Sequence, residues 1–172
     1  MGALDMKQEL VGSILINVMR EQLEIYKELS NLAEEKTNVL IKGDLALLNE
    51  ITEIEQTLIF KLGKLEEERV ELVKQIAEVH GKDTSEIKAD FLKSIFPDQQ
   101  EAETFSGIYG ELKSVLLEVD KKNETNAKLI VSALDYINFS IKLLTDSGEI
   151  KTNYSPDGVN TQKAFHFIDK KA

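Results

Sequence analysis

Helical periodicity runs through most of the chain and is punctuated at very few points, which restricts it to a small number of long helices. Val11, Leu15, Val18, Gln22, Ile25, Leu29, Leu32, Lys36 and Val39 follow one another at alternating four- and three-residue steps. That spacing stacks side chains on one face of a helix, here with Gln22 and Lys36 as polar interruptions. Gly43-Asp44 closes this helix and opens the next, since glycine suits the position after a helix end and aspartate suits an N-cap. A second seam passes through Ile51, Glu55, Leu58, Leu62, Leu65, Arg69, Leu72, Ile76 and Val79, then stops at His80-Gly81. The short Gly-Asp link makes the pair an antiparallel hairpin. Gly63, inside the second helix, costs about 1 kcal/mol relative to alanine. It reads as either a close helix approach or a position of no consequence.

From Gly81 to about residue 100 the periodicity lapses. Ser85 to Phe96 can form a short helix with Ile87, Phe91, Leu92, Ile95 and Phe96 on one side, ended by Pro97. The third long seam reads Leu112, Leu116, Val119, Asn123, Asn126, Ile130, Ala133, Ile137, Ser140, Leu144. A second stripe of Leu129, Tyr136, Phe139 and Leu143 widens the apolar face of its C-terminal half, which implies more than one neighbour there. Asn123 and Asn126 occupy seam positions, where a polar side chain fixes register at some cost in stability; the other reading is two amides that bind a partner backbone. Beyond Gly148 regularity fails. The expected fold is therefore all-α: an elongated antiparallel three-helix bundle or coiled coil, with a short helix before the third long one. Residues 1–148 form the bundle domain, and 149–172 a flexible, interaction-prone tail carrying Tyr154, Val159, Phe165, Phe167 and Ile168.

Charge narrows the possible partners. The chain carries −10 with only two arginines, Arg20 and Arg69, and its lysines are interleaved with acids. Nucleic acid is excluded, because phosphate binding rests on clustered Lys and Arg. Leu10 to Met19 resembles the apolar core of a signal peptide, but Asp5 and Glu9 flank it and no small-residue cleavage site follows. It is also too short to insert in a membrane, which takes about 20 apolar residues. The expected address is the cytoplasm.

No catalytic or metal chemistry is legible. Cysteine is absent, which removes disulfides, thiolate catalysis and cysteine-based metal sites. A di-iron bundle needs Glu-x-x-His on two helices, and the residues three before His80 and His166 are Ala77 and Lys163. Both histidines are expected in solvent, His80 at a helix C-terminus that favours positive charge. Glu66-Glu67-Glu68 point in successive directions around a helix and read as a solvated face, with Glu66 three residues from Arg69. No phosphate-binding glycine loop or nucleophile elbow occurs. Neither an enzyme nor a cofactor is expected.

The order of elements resembles that of the FlgN-type flagellar export chaperones. The resemblance is carried by Leu47-Leu48-Asn49-Glu50-Ile51-Thr52-Glu53-Ile54-Glu55-Gln56 and by Leu65-Glu66-Glu67-Glu68-Arg69. It continues in Asn123-Glu124-Thr125-Asn126, in Leu129-Ile130 and in Ser132-Ala133-Leu134-Asp135-Tyr136. Tyr154-Ser155-Pro156-Asp157-Gly158 is similar to a Tyr-x-x-x-Gly that closes such chains. Lys82 to Gln100 fits the pattern only loosely. The resemblance implies a cytoplasmic, non-enzymatic chaperone that holds hook–filament junction proteins by their C-terminal helical segment, largely through its own C-terminal region. It further implies delivery to the flagellar type III export gate and contact with components of the export apparatus.

The partner-binding residues expected on this basis are Tyr136, Phe139, Leu143 and Leu144 on the third helix, with Tyr154, Val159, Phe165, Phe167 and Ile168 of the tail closing over the client. Two other readings stay open. The helix positions could fill the bundle core, and the seams could drive self-assembly of a structural coiled-coil adaptor.

Overall fold

The computed structural model describes residues 3–146, with side chains for 10–145. Helix α1 is Ala3–Lys42 and α2 is Leu45–Val79; a single 3-10 turn, Thr84–Glu86, leads to the short α3, Ala89–Ser94, and then to α4, Gln99–Asp146. No strand occurs among the described residues. The chain divides into two compact units, Met1–Ala127 and Lys128–Ala172, so the break falls inside α4. The boundary expected at residue 148, and the tail residues Tyr154, Val159, Phe165, Phe167 and Ile168, lie outside the described residues.

In the first unit the punctuation read from the sequence does its work. Gly43 has φ +71° and Gly81 φ +60°, both in the left-handed region that favours glycine. At each, two backbone bonds close the helix end: Gly43 N–H to Leu40 O with Asp44 N–H to Val39 O, and Gly81 N–H to Glu78 O with Lys82 N–H to Ala77 O. Asp44 then caps α2, its carboxylate accepting from the Leu47 amide at 3.1 Å. Gly63 has open space about it and marks no close approach. Gly12 does: a Cβ there would lie 2.8 Å from a ring carbon of Phe96.

The polar interruptions of the two hairpin seams find one another. Lys36 pairs with Glu55 across the hairpin. Gln22, almost wholly buried, donates to Glu66 at 3.1 Å. Between them Leu29, Leu58 and Leu62 make an apolar cluster of their own. The larger core gathers Leu15, Val18, Met19 and Leu23 of α1, Leu72 and Ile76 of α2, Leu92, Ile95 and Phe96 from α3 and its end, and Phe105, Ile108, Leu112 and Val115 of α4. The connector is thus part of the core, and Phe96 meets Phe105 with ring centroids 5.4 Å apart.

Residues 99–127 of α4 run parallel to α1, because Ser13–Glu101, Ser30–Glu118 and Thr37–Asn126 are hydrogen-bonded at nearly constant separations of 88, 88 and 89 residues. Asn126 is 3% exposed, donates to Ala33 O at 2.8 Å and accepts from Thr37 Oγ1 at 2.7 Å. It fixes register, one of the two readings the sequence allowed. The seam of α4 differs from the expected one. Val115 is buried and Lys122 half-buried at the interface, while Leu116 is 43% exposed and Asn123 lies in solvent. The inner line is 105-108-112-115-119-122-126, which shares every second member with the expected line. Lys122 is tolerable there because its ammonium lies 2.7 Å from Glu118, 3.0 Å from Glu34 and 3.0 Å from the Ser30 hydroxyl. His80 also departs from expectation. It is half-buried, edge-on to Phe91 with centroids 5.2 Å apart, and its Nε2 is buried without a hydrogen-bond partner.

Candidate partner-binding face

Two surface features stand out, one in each unit. In the first unit a cleft of about 530 Å³ lies among α1, α2 and α4, lined by Tyr26, Lys36, Glu55, Ile59, Glu66, Asn123 and their neighbours. Its charged groups are already engaged. Lys36 holds Glu55, and Arg69 grips both oxygens of Glu66 at 2.8 and 2.6 Å while Gln22 bonds one of them. Those bonds from Arg69 hold the Glu66 carboxyl below the usual glutamate value, against the opposing effect of burial. Burial, aided by the Glu66 charge, pushes the Tyr26 hydroxyl upward. No acid or base is left poised for chemistry, so the cleft reads as structural.

The second feature is apolar. Between Lys128 and Thr145 nine large hydrophobic residues are exposed: Ile130, Val131, Leu134, Tyr136, Ile137, Phe139, Ile141, Leu143 and Leu144. So dense a run of exposed apolar side chains is unusual, since single exposed leucines are ordinary and contiguous patches are not. The hydroxyl groups of the stretch bond back into their own helix: Ser132 to Lys128 O, Ser140 to Tyr136 O and Thr145 to Ile141 O. The only charges are Lys128, Asp135, Lys142 and Asp146.

Helical geometry sorts the expected anchors. Tyr136, Phe139 and Leu143, at i, i+3 and i+7, share one face with Leu129. Leu144 lies roughly a quarter-turn away, in line with Ile130 and Ile137. At 72% and 80% exposed, Tyr136 and Leu144 fill no core. Of the readings the sequence left open, this sets aside the one in which these two positions fill the bundle core. A signal for Ile130, Leu134, Ile137 and Ile141 was present in their heptad spacing, but that spacing is the same for a buried seam and a bare one.

No group of His, Asp or Glu among the described residues could hold a metal ion. No helix among them is long and apolar enough to cross a membrane.

An all-helical chain with an exposed apolar helix face and no catalytic constellation among its described residues has the features of a protein-binding module. The comparisons agree: the family described as FlgN protein matches residues 6–162, and the chain belongs to this family of flagellar chaperones, which are not enzymes. It is 28% identical over 141 residues to the "Uncharacterized protein YvyG" of Bacillus subtilis (strain 168), an alignment covering 82% of this chain and 84% of that protein. No solved structure matches the chain.

Proposed function

We propose that the protein is a cytoplasmic chaperone that binds the C-terminal helical segment of flagellar hook–filament junction proteins, keeps them soluble, and delivers them for type III flagellar export. The observation that carries this reading is the exposed apolar face of α4 between Lys128 and Thr145. A client's amphipathic helix docks there by the helix-in-groove mode, whose anchors recur at i, i+3 and i+7. Tyr136, Phe139 and Leu143 supply that spacing, with Leu144 at the edge. Tyr154, Val159, Phe165, Phe167 and Ile168 close over the bound helix, and the ordering of such a segment on binding lowers the affinity per unit of area while letting it wrap the client. The work is protective. A helix that will later pack into a filament has an apolar face with no partner before assembly, and the chaperone lends it one.

The experiment is co-purification of the chain with a junction protein and with the same protein lacking its C-terminal helical segment. Capture of the first and not the second is expected, and a chain ending at Gly148 should capture less. Equal capture with and without the segment would contradict the proposed mode, and equal capture by the shortened chain would remove the tail from it.

A further inference from the structure

Ser132, Tyr136, Phe139 and Leu143 follow one another at steps of four, three and four residues, so they stack in one line along α4. Tyr136 is 72% exposed and Phe139 59%. With the other apolar residues between Lys128 and Thr145, this is more apolar surface than a chain free in solution ordinarily leaves to water. Directly after α4 ends at Asp146 comes a segment with the same need for cover. Residues 149–172 hold Tyr154, Val159, Phe165, Phe167 and Ile168, the last three within four consecutive positions.

We propose that, before any client arrives, the protein's own Phe165, Phe167 and Ile168 lie on the line of Tyr136, Phe139 and Leu143. The tether selects this occupant. Residues 147–164 contain Gly148, Pro156 and Gly158, which helix interiors disfavour, so the sequence does not continue α4 as a helix to Phe165. At up to about 3.3 Å per residue this stretch reaches about 60 Å. The whole line lies nearer than that, since Ser132 to Asp146 along α4 is about 21 Å at about 1.5 Å per residue. A tether of this length holds its end at an effective concentration on the order of millimolar. A contact with a Kd of about 0.1 mM is then closed about ten to one, whereas a second copy at about 1 μM would fill about a hundredth of such sites. Proximity therefore favours the chain's own end over another molecule of equal chemistry. The chemistry is suitable as well. Phe165 and Phe167 bring aromatic rings to Tyr136 and Phe139. Residues 159–172 carry Lys163, Lys170 and Lys171 against Asp169, a net +2 with His166 neutral, in a chain of net charge −10.

The cover does not depend on what the line is for; its consequence rests on the client reading given above. A client helix must displace these residues before it seats, and they then close over it. Losing them should speed client association, and speed dissociation more.

The sequence has no cysteine, so one introduced thiol reports without background. Ser132→Cys places it on the line and spares the three anchors, at an exposed position whose hydroxyl bonds back to Lys128 O. Leu134→Cys, about 200° further round the helix, is the control. Each would be made in the full chain, with and without Phe165→Ser/Phe167→Ser/Ile168→Ser. Reaction with a maleimide would be timed without client, at high and at low protein concentration. The expected result is that Ser132→Cys reacts several-fold more slowly when Phe165, Phe167 and Ile168 are intact, equally so at both concentrations, while Leu134→Cys is indifferent to them. Equal rates for Ser132→Cys in the two backgrounds overturn the inference. Protection that fades on dilution does so too, because a second copy is then the cover. So does Leu134→Cys slowed as much as Ser132→Cys, because the cover is then not confined to the line. These rates are read without client. Protection of Ser132→Cys with client association no faster in the triple variant would leave the cover standing and contradict the client site instead.

Discussion

At the scale of single residues, two positions hold the first unit in one arrangement. Asn126 is a buried amide whose donor and acceptor are both used, toward Ala33 O and Thr37 Oγ1. Asn126→Leu would leave the Thr37 hydroxyl and the Ala33 carbonyl only their bond to each other, and should cost about 0.5–1.5 kcal/mol in denaturant melts. Gly12 is a glycine for space: a methyl group there meets the Phe96 ring at 2.8 Å, and the ring is already packed against Phe105. Gly12→Ala should cost about 1–3 kcal/mol, the usual penalty for overpacking. Gly12→Ala with Phe96→Leu should recover part of the loss, which a melt of the double variant checks. The titratable groups give a third test. Hydrogen bonds from Arg69, from Ser85, and from Lys122 with Ser30 hold Glu66, Asp83 and Glu118 respectively below their ordinary values. The unfolded chain therefore binds protons first as pH falls. Their contribution is complete above the ordinary values of 4.5 for glutamate and 3.8 for aspartate, and is lost as pH drops through the depressed folded values. Melting temperature should decline across that window, and less steeply in Glu66→Gln or Glu118→Gln.

At the scale of elements, the helix ends were plain in the sequence because their chemistry is local. Gly43-Asp44 and His80-Gly81 needed nothing beyond their neighbours to specify a left-handed glycine and, at Asp44, a capping carboxylate. Gly43→Ala should cost about 1 kcal/mol and Asp44→Ala a similar amount, measurable as separate shifts in a chemical melt. The hairpin seams were legible for the same reason, down to the polar positions Lys36 and Glu55 that pair. The seam of α4 was not. Val115, Leu116 and Leu117 are consecutive apolar residues, and either of two heptad lines through Leu112 and Val119 is equally regular. Choosing the true line requires knowing that Lys122 has Glu118, Glu34 and Ser30 to receive it, and those partners come from two helices. His80 escaped for a related reason, since its ring partner Phe91 lies across the connector.

At the scale of the whole molecule, the family and the fold class were within reach of the sequence, as was the helical spacing that sets Tyr136 and Phe139 on one face. What periodicity could not reveal was that the face is bare. A seam destined for a partner and one filled by its own chain look identical in one dimension, and only the exposure of Ile130, Leu134, Tyr136 and Phe139 separates them. The two units therefore divide the labour. The first spends its polar interruptions on Lys36–Glu55, Gln22–Glu66 and Asn126, which fix register inside the chain. The second leaves its large apolar side chains exposed. The most direct test is titration of a labelled C-terminal helical segment of a junction protein with the wild-type chain and with Tyr136→Asp/Phe139→Asp. Both positions are exposed, so circular dichroism should be unchanged. Affinity should fall by at least about tenfold, the effect of losing interface anchors; equal affinity in the two proteins would contradict the assignment of this face as the client site.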